Sequence, residues 1–460
     1  MNLFLMFGSS LLALAIVIFM LIKKMDIKIT LFLVGILLMI VSILMGNPVI
    51  EEPVNIVVDS VLSVVDQFKN TLNGAGFIIL ILGGYTAYMN EIGANDVTVS
   101  ALTKPLKSIK SPYVLVPVVF LLGNLMSLVV PSASNLSIIL LATLYPVLIK
   151  AGMSNLTAAA VIATTATVMP TPLGADNVAV ASELGMPVAD YVFKYHAVVS
   201  IPTLLIMAIA HTIWQKNRDK KIDFTKEIAH ESAVKENQLF DGGTVFKSIY
   251  TILPLLPIII LLIVFAINSF AGTKINLSVE VVSIISFIVA IICELIRKKD
   301  GKEVLKTSDK FFAGMGGAMG IVVLLVAAST FVNGLKSIGL INYLQDTMLN
   351  THASGIILPL ILVVFTAIIV LLSGSGVALF YAMVPLMVPL ADAAGISPFL
   401  VTVPMGLAGN LLRAVSPVSA VVMIVAGTTK QQPIEIVKRT AIPMISGVIF
   451  MFVFSMILFK

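Results

Sequence analysis

The feature that most constrains this chain is a recurrence: apolar runs long enough to cross about 30 Å of hydrocarbon return from one end to the other. Residues 3–22, 29–45, 245–267 and 441–459 are four of them. Of 460 residues, 58% are apolar and 12% charged, against roughly a quarter charged in a soluble domain. A water-facing globule cannot be built from such a chain, and no segment is left over for a soluble domain of useful size. The first run has no basic residue ahead of it and no small-residue cleavage site before Lys23, so it reads as a span and not a signal peptide. The single cysteine, Cys293, excludes a disulfide framework and a thiolate metal cluster. No cofactor, resident metal or nucleic-acid partner is expected.

Lys and Arg concentrate in segments 23–28, 104–150, 216–247, 297–310 and 430–439. By the positive-inside rule these face the cytoplasm, which puts 23 of the 29 basic residues inside. Lys69, Lys194, Lys274, Lys336 and Lys460 fall outside, and Arg413 has no loop to occupy. Threading the chain through these anchors yields spans near 3–22, 29–46, 74–92, 156–185 and 190–213, with a polar stretch at 47–73 left outside. The second half yields 245–267, 277–296, 311–333, 397–427 and 440–459. Five crossings in each half make the halves inverted. Segments 112–150 and 356–392 each start and end on one face, and each is broken by small polar residues, at Pro131–Asn135 and Ser373–Gly376. They read as re-entrant helical hairpins.

The expected fold is therefore an all-α polytopic membrane protein. Its first inverted repeat covers 1–214, with hairpin 112–150 and broken span 156–185. A cytoplasmic linker covers 215–243, and the second repeat covers 244–460, with hairpin 356–392 and broken span 397–427. A shift of 243 positions lays Pro146 on Pro389, Gly152 on Gly395 and Ser154 on Ser397. With a two-residue change of register, Thr171-Pro172 meets Ser416-Pro417.

A broken helix at membrane depth leaves backbone N–H and C=O groups unpaired, which lipid permits only where the break lines a polar cavity. In transporters built from inverted repeats, such breaks meet at a midplane site where helix N-termini face anionic groups. Four breaks are expected to converge here: the two tips, the turn Pro170–Asn177 and the turn Ala408–Pro417. The substrate-contact candidates are Arg413, Ser132, Ser134, Asn135, Ser373, Ser375, Gly376, Asn410, Ser416 and Thr171. An intramembrane guanidinium costs about 2.5–3.5 kcal/mol or more and faces a cavity or a partner. Arg413 either grips a carboxylate in bidentate fashion or forms an ion pair with Asp176 or Asp392. Asp176, beside Asn177, can ligate Na⁺, titrate as a proton site or cap the following helix; these two residues are the coupling-ion candidates, for Na⁺ or H⁺.

The stretch Gly83–Ala94, the tip Val130–Asn135, the stretch Gly409–Ala420 and the tail Glu435–Thr440 resemble the DcuC family of anaerobic dicarboxylate carriers, and the similarity runs through most of the chain. The resemblance implies exchange or uptake of C4-dicarboxylates, or succinate efflux, across a bacterial inner membrane. Through the ion-transporter superfamily it also implies a homodimer with a scaffold part and a mobile transport part, and an elevator-type motion. The chain departs from the Ser-Asn-Thr tips of the sodium-coupled branch: the first tip reads Ser134-Asn135-Leu136, and the second has no asparagine.

Other polar residues read as structural. Glu91 and Asn90 fit a cap or loop at a span end more than a part in transport, His196 and His211 fit interfacial packing more than a proton relay, and Asn124 fits a bond between helices more than contact with substrate. Gly314, Gly316 and Gly317 permit close helix contact. A membrane-embedded enzyme is disfavoured, since the chain lacks a His-Glu-x-x-His helix, a Gly-x-Ser-x-Gly turn and a second aspartate to pair with Asp176. A channel suits two hairpins closing on one cavity less well than a carrier does.

The charge placement makes a topological prediction: both termini lie outside and the linker lies in the cytoplasm. In a Cys293→Ser background, His230→Cys should stay unlabelled by an impermeant thiol reagent in intact cells and react once the membrane is opened. Labelling from outside would overturn the five-plus-five threading.

Overall fold

The computed structural model describes residues 3–23, 25–50, 53–109, 111–165, 168–220, 243–343 and 355–460. Most of the expected linker, 215–243, lies outside these. The first half contains α1 (Leu3–Ile22), α2 (Ile27–Leu44), α3 (Ile56–Glu91), α4 (Ala94–Thr103), α5 (Pro112–Met126), α6 (Ala133–Thr143), α7 (Tyr145–Lys150), α8 (Asn155–Ala163), α9 (Ala175–Glu183) and α10 (Val188–Asp219). The second contains α11 (Thr244–Ala271), α12 (Val279–Lys298), α13 (Gly301–Ser337), α14 (Ile357–Ser373), α15 (Val377–Ala393), α16 (Phe399–Arg413), α17 (Ala420–Thr429) and α18 (Pro433–Leu458). No strand occurs among the described residues.

Among the described residues, eight helices are long and apolar enough to cross a membrane: α1, α2, α3, α10, α11, α12, α13 and α18. Apart from α4 and α7, which have no counterpart in the second half, each half runs in the same order, with three long helices, a pair of shorter ones, an interrupted helix and a final long helix. The paired helices are too short to span alone. α5 has 15 residues and α6 has 11, against the roughly 20 that a crossing needs. α14 and α15 have 17 each.

Two stretches differ from expectation. Residues 56–71, read from the sequence as part of a polar stretch outside or along the interface, are helical and continue into the rest of α3 through a π turn at Leu72–Gly76 with a kink at Gly74. Asn55 caps this helix by accepting from the N–H groups of Val57 and Val58. Asp59 is buried and accepts from the N–H groups of Val54 and Asn55. The polar residues that made the stretch look aqueous are thus spent on starting a helix, which packs on α2 and α13. The second interruption begins late: Ala408 to Leu412 remain helical, and α16 ends at Arg413.

Close helix approach through glycine organises the largest helix contacts. A Cβ on Gly314 of α13 would stand 2.5 Å from the Gly83 carbonyl oxygen and 2.4 Å from the Ala87 Cβ. One on Gly83 of α3 would stand 2.6 Å from the Ala318 Cβ. Further along α13, a Cβ on Gly334 would meet the Gly35 carbonyl oxygen of α2 at 2.8 Å. α13 therefore lies directly against the backbones of both α2 and α3, as expected of small-residue packing where lipid supplies no hydrophobic driving force. α12 packs on α3, and α11 packs on α4. Both helix pairs, both interrupted helices, α10 and α18 pack on one another, and this group meets the first through α15 on α13 and α9 on α3.

The aligned glycines play one role twice. Gly152 ends α7 at φ +85° and Gly395 follows α15 at φ +63°, left-handed conformations that close a helix and strain any side chain with a Cβ.

Substitution along α13 checks this packing. Gly314→Ala should lower the thermal midpoint of detergent-solubilised protein through overpacking of about 1–3 kcal/mol or more. Gly320→Ala, where an added Cβ meets nothing within 4 Å, should leave the midpoint unchanged or raise it. Equal effects would refute the close-approach reading.

Candidate functional site

The interrupted helices and the hairpin tips meet. α8 stops at Ala163 and the chain turns before α9 begins at Ala175. Within that turn, Thr171 Oγ1 accepts from the Leu173 N–H at 3.1 Å, and Asn177 Nδ2 donates to the Thr171 carbonyl oxygen at 2.9 Å. Each hairpin packs on the break in its own half. A Cβ on Gly123 of α5 would stand 2.2 Å from Thr165 Cγ2, and one on Gly374, at the second tip, 2.5 Å from the Val418 carbonyl oxygen. Gly374 has φ +75°, and a Cβ on Gly376 would lie 3.0 Å from the Gly409 Cα. Glycine at 374 lets this tip close over the end of α16, and a side chain at 376 would press on the Gly409 backbone, whereas a Cβ at 409 would meet nothing nearer than 3.8 Å. The halves also cross: α6 packs on α17, and α9 packs on α15.

Between these breaks lies a cavity of about 640 Å³. Ser132, Thr171, Asp176, Asn177, Gly376, Asn410 and Arg413, all expected at the site, line it. Thr86 and Asn90 of α3 and Gly314 and Gly317 of α13 form the facing wall. Three helix N-termini open onto it, those of α6 at Ser132 and Ala133, of α9 at Gly174 and Ala175, and of α15 at Gly376 and Val377. Free N–H groups at such ends carry about half a positive charge each and bind anions readily.

The two intramembrane charges sit where helix dipoles favour them. Asp176 lies in the first turn of α9 and Arg413 in the last turn of α16. Asp176 Oδ1 accepts from the Asn177 N–H at 3.0 Å, and Oδ2 accepts from Asn410 Nδ2 at 3.3 Å. Arg413 feels the Asp176 charge across the cavity. Asp392 is exposed near the end of α15 and does not line the cavity, which removes one of the two expected ion-pair partners.

The remaining expected contacts lie outside the lining. Ser416 is fully buried and donates to the Leu371 carbonyl oxygen at 3.0 Å, tying the second break to α14. Ser373 Oγ donates to the Ser375 carbonyl oxygen at 2.9 Å, and Ser375 Oγ accepts from the Val377 N–H at 3.4 Å, so both build the tip. Asn135 donates its N–H to the capping Ser132 Oγ at 3.3 Å, and the Ser134 carbonyl oxygen accepts from Ser137 Oγ at 2.8 Å. Asn124 is buried and donates to the Phe120 carbonyl oxygen of its own helix at 2.8 Å.

Three features escaped the sequence. His196 lines the cavity, where position near a span end had suggested interfacial packing. Asn90 lines it too, while accepting from Asn95. Arg439, counted among loop cations, is buried and paired with Asp219 at 2.8 Å. Ser154 and Thr157 of α8 donate to the same carboxylate, each at 2.9 Å. Gln215 accepts from Arg439 Nη1 at 3.1 Å and donates to the Arg439 carbonyl oxygen at 2.9 Å. This cluster joins α8, α10 and α18.

The DcuC family, described as C4-dicarboxylate anaerobic carriers, matches residues 7–460. The chain belongs to the DcuC family. An anaerobic C4-dicarboxylate transporter DcuC from Escherichia coli K12 is 37% identical over 429 residues, 92% of this chain and 90% of that protein. A probable transporter of the same name from Vibrio cholerae is 36% identical over 92% of this chain and 91% of its own length. Among solved structures, the YdaH transporter of Alcanivorax borkumensis superposes with a TM-score of 0.69 at 15% identity, covering 94% of this chain and 98% of that one. MtrF of Neisseria gonorrhoeae superposes at 0.65 with 13% identity, covering 93% and 94%; at this distance both speak for the fold alone. DcuC proteins are carriers, so this DcuC-family chain is a multi-pass membrane transporter and not an enzyme.

Proposed function

We propose that this DcuC-family carrier moves C4-dicarboxylates such as succinate, fumarate or malate across the bacterial inner membrane, with both termini outside. The observation that carries the substrate class is the convergence of three helix N-termini and Arg413 on one cavity. A dianion leaving water needs positive charge to replace its hydration, and a guanidinium with three N–H-bearing helix ends provides it. In this reading Arg413 grips one carboxylate, while Ser132, Gly376 and their neighbouring N–H groups hold the other. Thr171, Asn177 and Asn410 keep the breaks in shape, and Asp176 balances the charge and shares the site with a coupling ion. The names of the E. coli and V. cholerae relatives point to the same class.

The two halves are read as inverted repeats, supported by their matching element order, by Gly152 and Gly395, and by the reciprocal packing of α6 on α17 and α9 on α15. The cavity lies between two groups of helices that also touch through α13 and α15, with α2, α3 and α13 on one side and both hairpins with both interrupted helices on the other. These are read as scaffold and transport parts of a homodimeric elevator, exchanging dicarboxylates or exporting succinate as gradients dictate.

Arg413→Ala should weaken dicarboxylate binding by about 2–5 kcal/mol, and Arg413→Lys by less, because the charge survives while the bidentate fork does not. Calorimetric titration of purified protein measures this, with thermal unfolding run alongside. A purely structural pair with Asp176 predicts instead a poorly folded Ala variant that Asp176→Asn restores. Near-normal affinity in a well-folded Arg413→Ala protein overturns the anchor.

Motion of the two parts has its own test. A Cβ on Gly74, at the kink of α3, would stand 3.0 Å from Ser182 Oγ of α9. A disulfide between Gly74→Cys and Ser182→Cys, in a Cys293→Ser background, should stop exchange in proteoliposomes while leaving binding measurable. Transport that persists through the locked pair replaces the elevator with a rocking or gating motion.

A further inference from the structure

His196 is 5% exposed and lines the central cavity, yet its Nδ1 is enclosed without a hydrogen-bond partner. Leaving a buried polar atom unsatisfied is costly, so such a group in a native structure calls for an explanation. The backbone that carries the ring is irregular as well. Tyr191–His196 form a π turn near the start of α10, and such single wide turns concentrate at functional sites. Here the wide turn brings the imidazole to the cavity while the rest of α10 keeps its register against α5 and α18.

The charge balance of the cavity gives the ring a task. Arg413 contributes one permanent cation and Asp176 one carboxylate, so the fixed side-chain charges nearly cancel while the proposed cargo brings two negative charges. The titratable and charged groups that face His196 are Asp176 from α9, Arg413 from α16, Tyr381 from α15, and Tyr191 on its own π turn, whose ring centroid lies 6.2 Å away. Among these, His196 is the group able to gain a positive charge near neutral pH.

We propose that His196 is the proton-binding group of this carrier, its imidazolium supplying the second cation for the dicarboxylate, so that one proton and one dianion bind as a unit. This rests on the dicarboxylate reading above. The proton comes from water and resides on the imidazole, with no covalent step. In the empty cavity burial disfavours the imidazolium, with Asp176 the one opposing charge; a bound dianion favours it. Substrate therefore raises the proton affinity of His196, and by linkage protonation raises the affinity for substrate by the same factor. Below the midpoint of the empty site the proton is already bound and affinity is at its plateau. Above it, affinity falls about tenfold per pH unit until the midpoint of the loaded site is passed.

Calorimetric titration of succinate into the full-length purified protein tests this across about pH 5.5–8.5, a range that brackets the midpoint of an unperturbed imidazole. Running it in buffers of different ionisation heat counts the protons taken up. The wild type should bind more tightly as pH falls and take up close to one proton per succinate on the alkaline side. His196→Gln, checked for an unchanged melting profile, should bind with the weak alkaline-limit affinity at every pH and take up none. His196→Asn serves if the Gln variant does not fold. A pH profile and proton count that survive in these variants overturn the proposal and move the proton to Asp176. Wild-type binding without proton uptake overturns it whatever the variants do. Wild-type protein that binds no succinate, fumarate or malate at any pH overturns the dicarboxylate reading itself, and this inference with it.

Discussion

Everything around the cavity depends on one constraint: backbone N–H and C=O groups have nowhere to go in hydrocarbon. Continuous helices satisfy it internally, which is why eight of them can carry the lipid-facing apolar side chains. The breaks after Ala163 and Arg413, and the tips near Ser132 and Gly376, cannot. They are tolerated because they cover one another. Gly376 lies against Gly409, Thr165 against Gly123, and the buried Ser416 hydroxyl reaches the Leu371 carbonyl. Three helix starts among them open onto the cavity, and in the proposed function they supply binding chemistry. The same groups that would make the fold impossible in lipid make it able to hold an anion.

The two sides of the cavity are held by different means. α13 meets α2 and α3 through glycines at Gly35, Gly83, Gly314 and Gly334, contacts of backbone on backbone that leave little room to slide. On the other side, polar atoms dominate: the Asp176–Asn410 contact crosses between the halves, and the Arg439–Asp219 pair with Ser154, Thr157 and Gln215 fastens α8 and α10 to α18. Removing one partner of a buried pair of this kind costs about 3–5 kcal/mol, since the other charge is left unpaired. A rigid apolar wall thus faces a polar cluster of short helices.

Much of this was legible in the sequence, for physical reasons. Apolar run length marks crossings because bilayer thickness is fixed, and the expected all-helical membrane fold is the one seen. Small polar interruptions at Ser132 and Gly376 mark breaks because lipid permits them in few other places. Arg413 stood out because an arginine within an apolar run has little other reason to be there. The failures share a cause: neighbours in space are invisible in one chain. His196 looked interfacial because it sits near the end of a span, and no periodicity announces the π turn that brings it to the cavity. Arg439 looked like an ordinary loop cation until Asp219 was found beside it. Ser373, Ser375 and Ser416 carry the hydroxyls expected at a site, but those hydroxyls are engaged with nearby backbone. Residues 56–71 looked aqueous because capping and amphipathic residues resemble a loop when the packing partner, α13, lies far along the chain.

The Arg439–Asp219 pair also has a consequence for how the protein is made. Its partners are 220 residues apart, with Arg439 on the last helix of the chain. At roughly 5–20 residues per second, a ribosome takes about 10–45 s to synthesise that interval. Throughout that time Asp219, Ser154, Thr157 and Gln215 have been made and wait without their cation. The first half therefore cannot reach its final packing during its own synthesis, and a nascent chain interrupted before α18 displays an uncompensated carboxylate that membrane quality control can recognise.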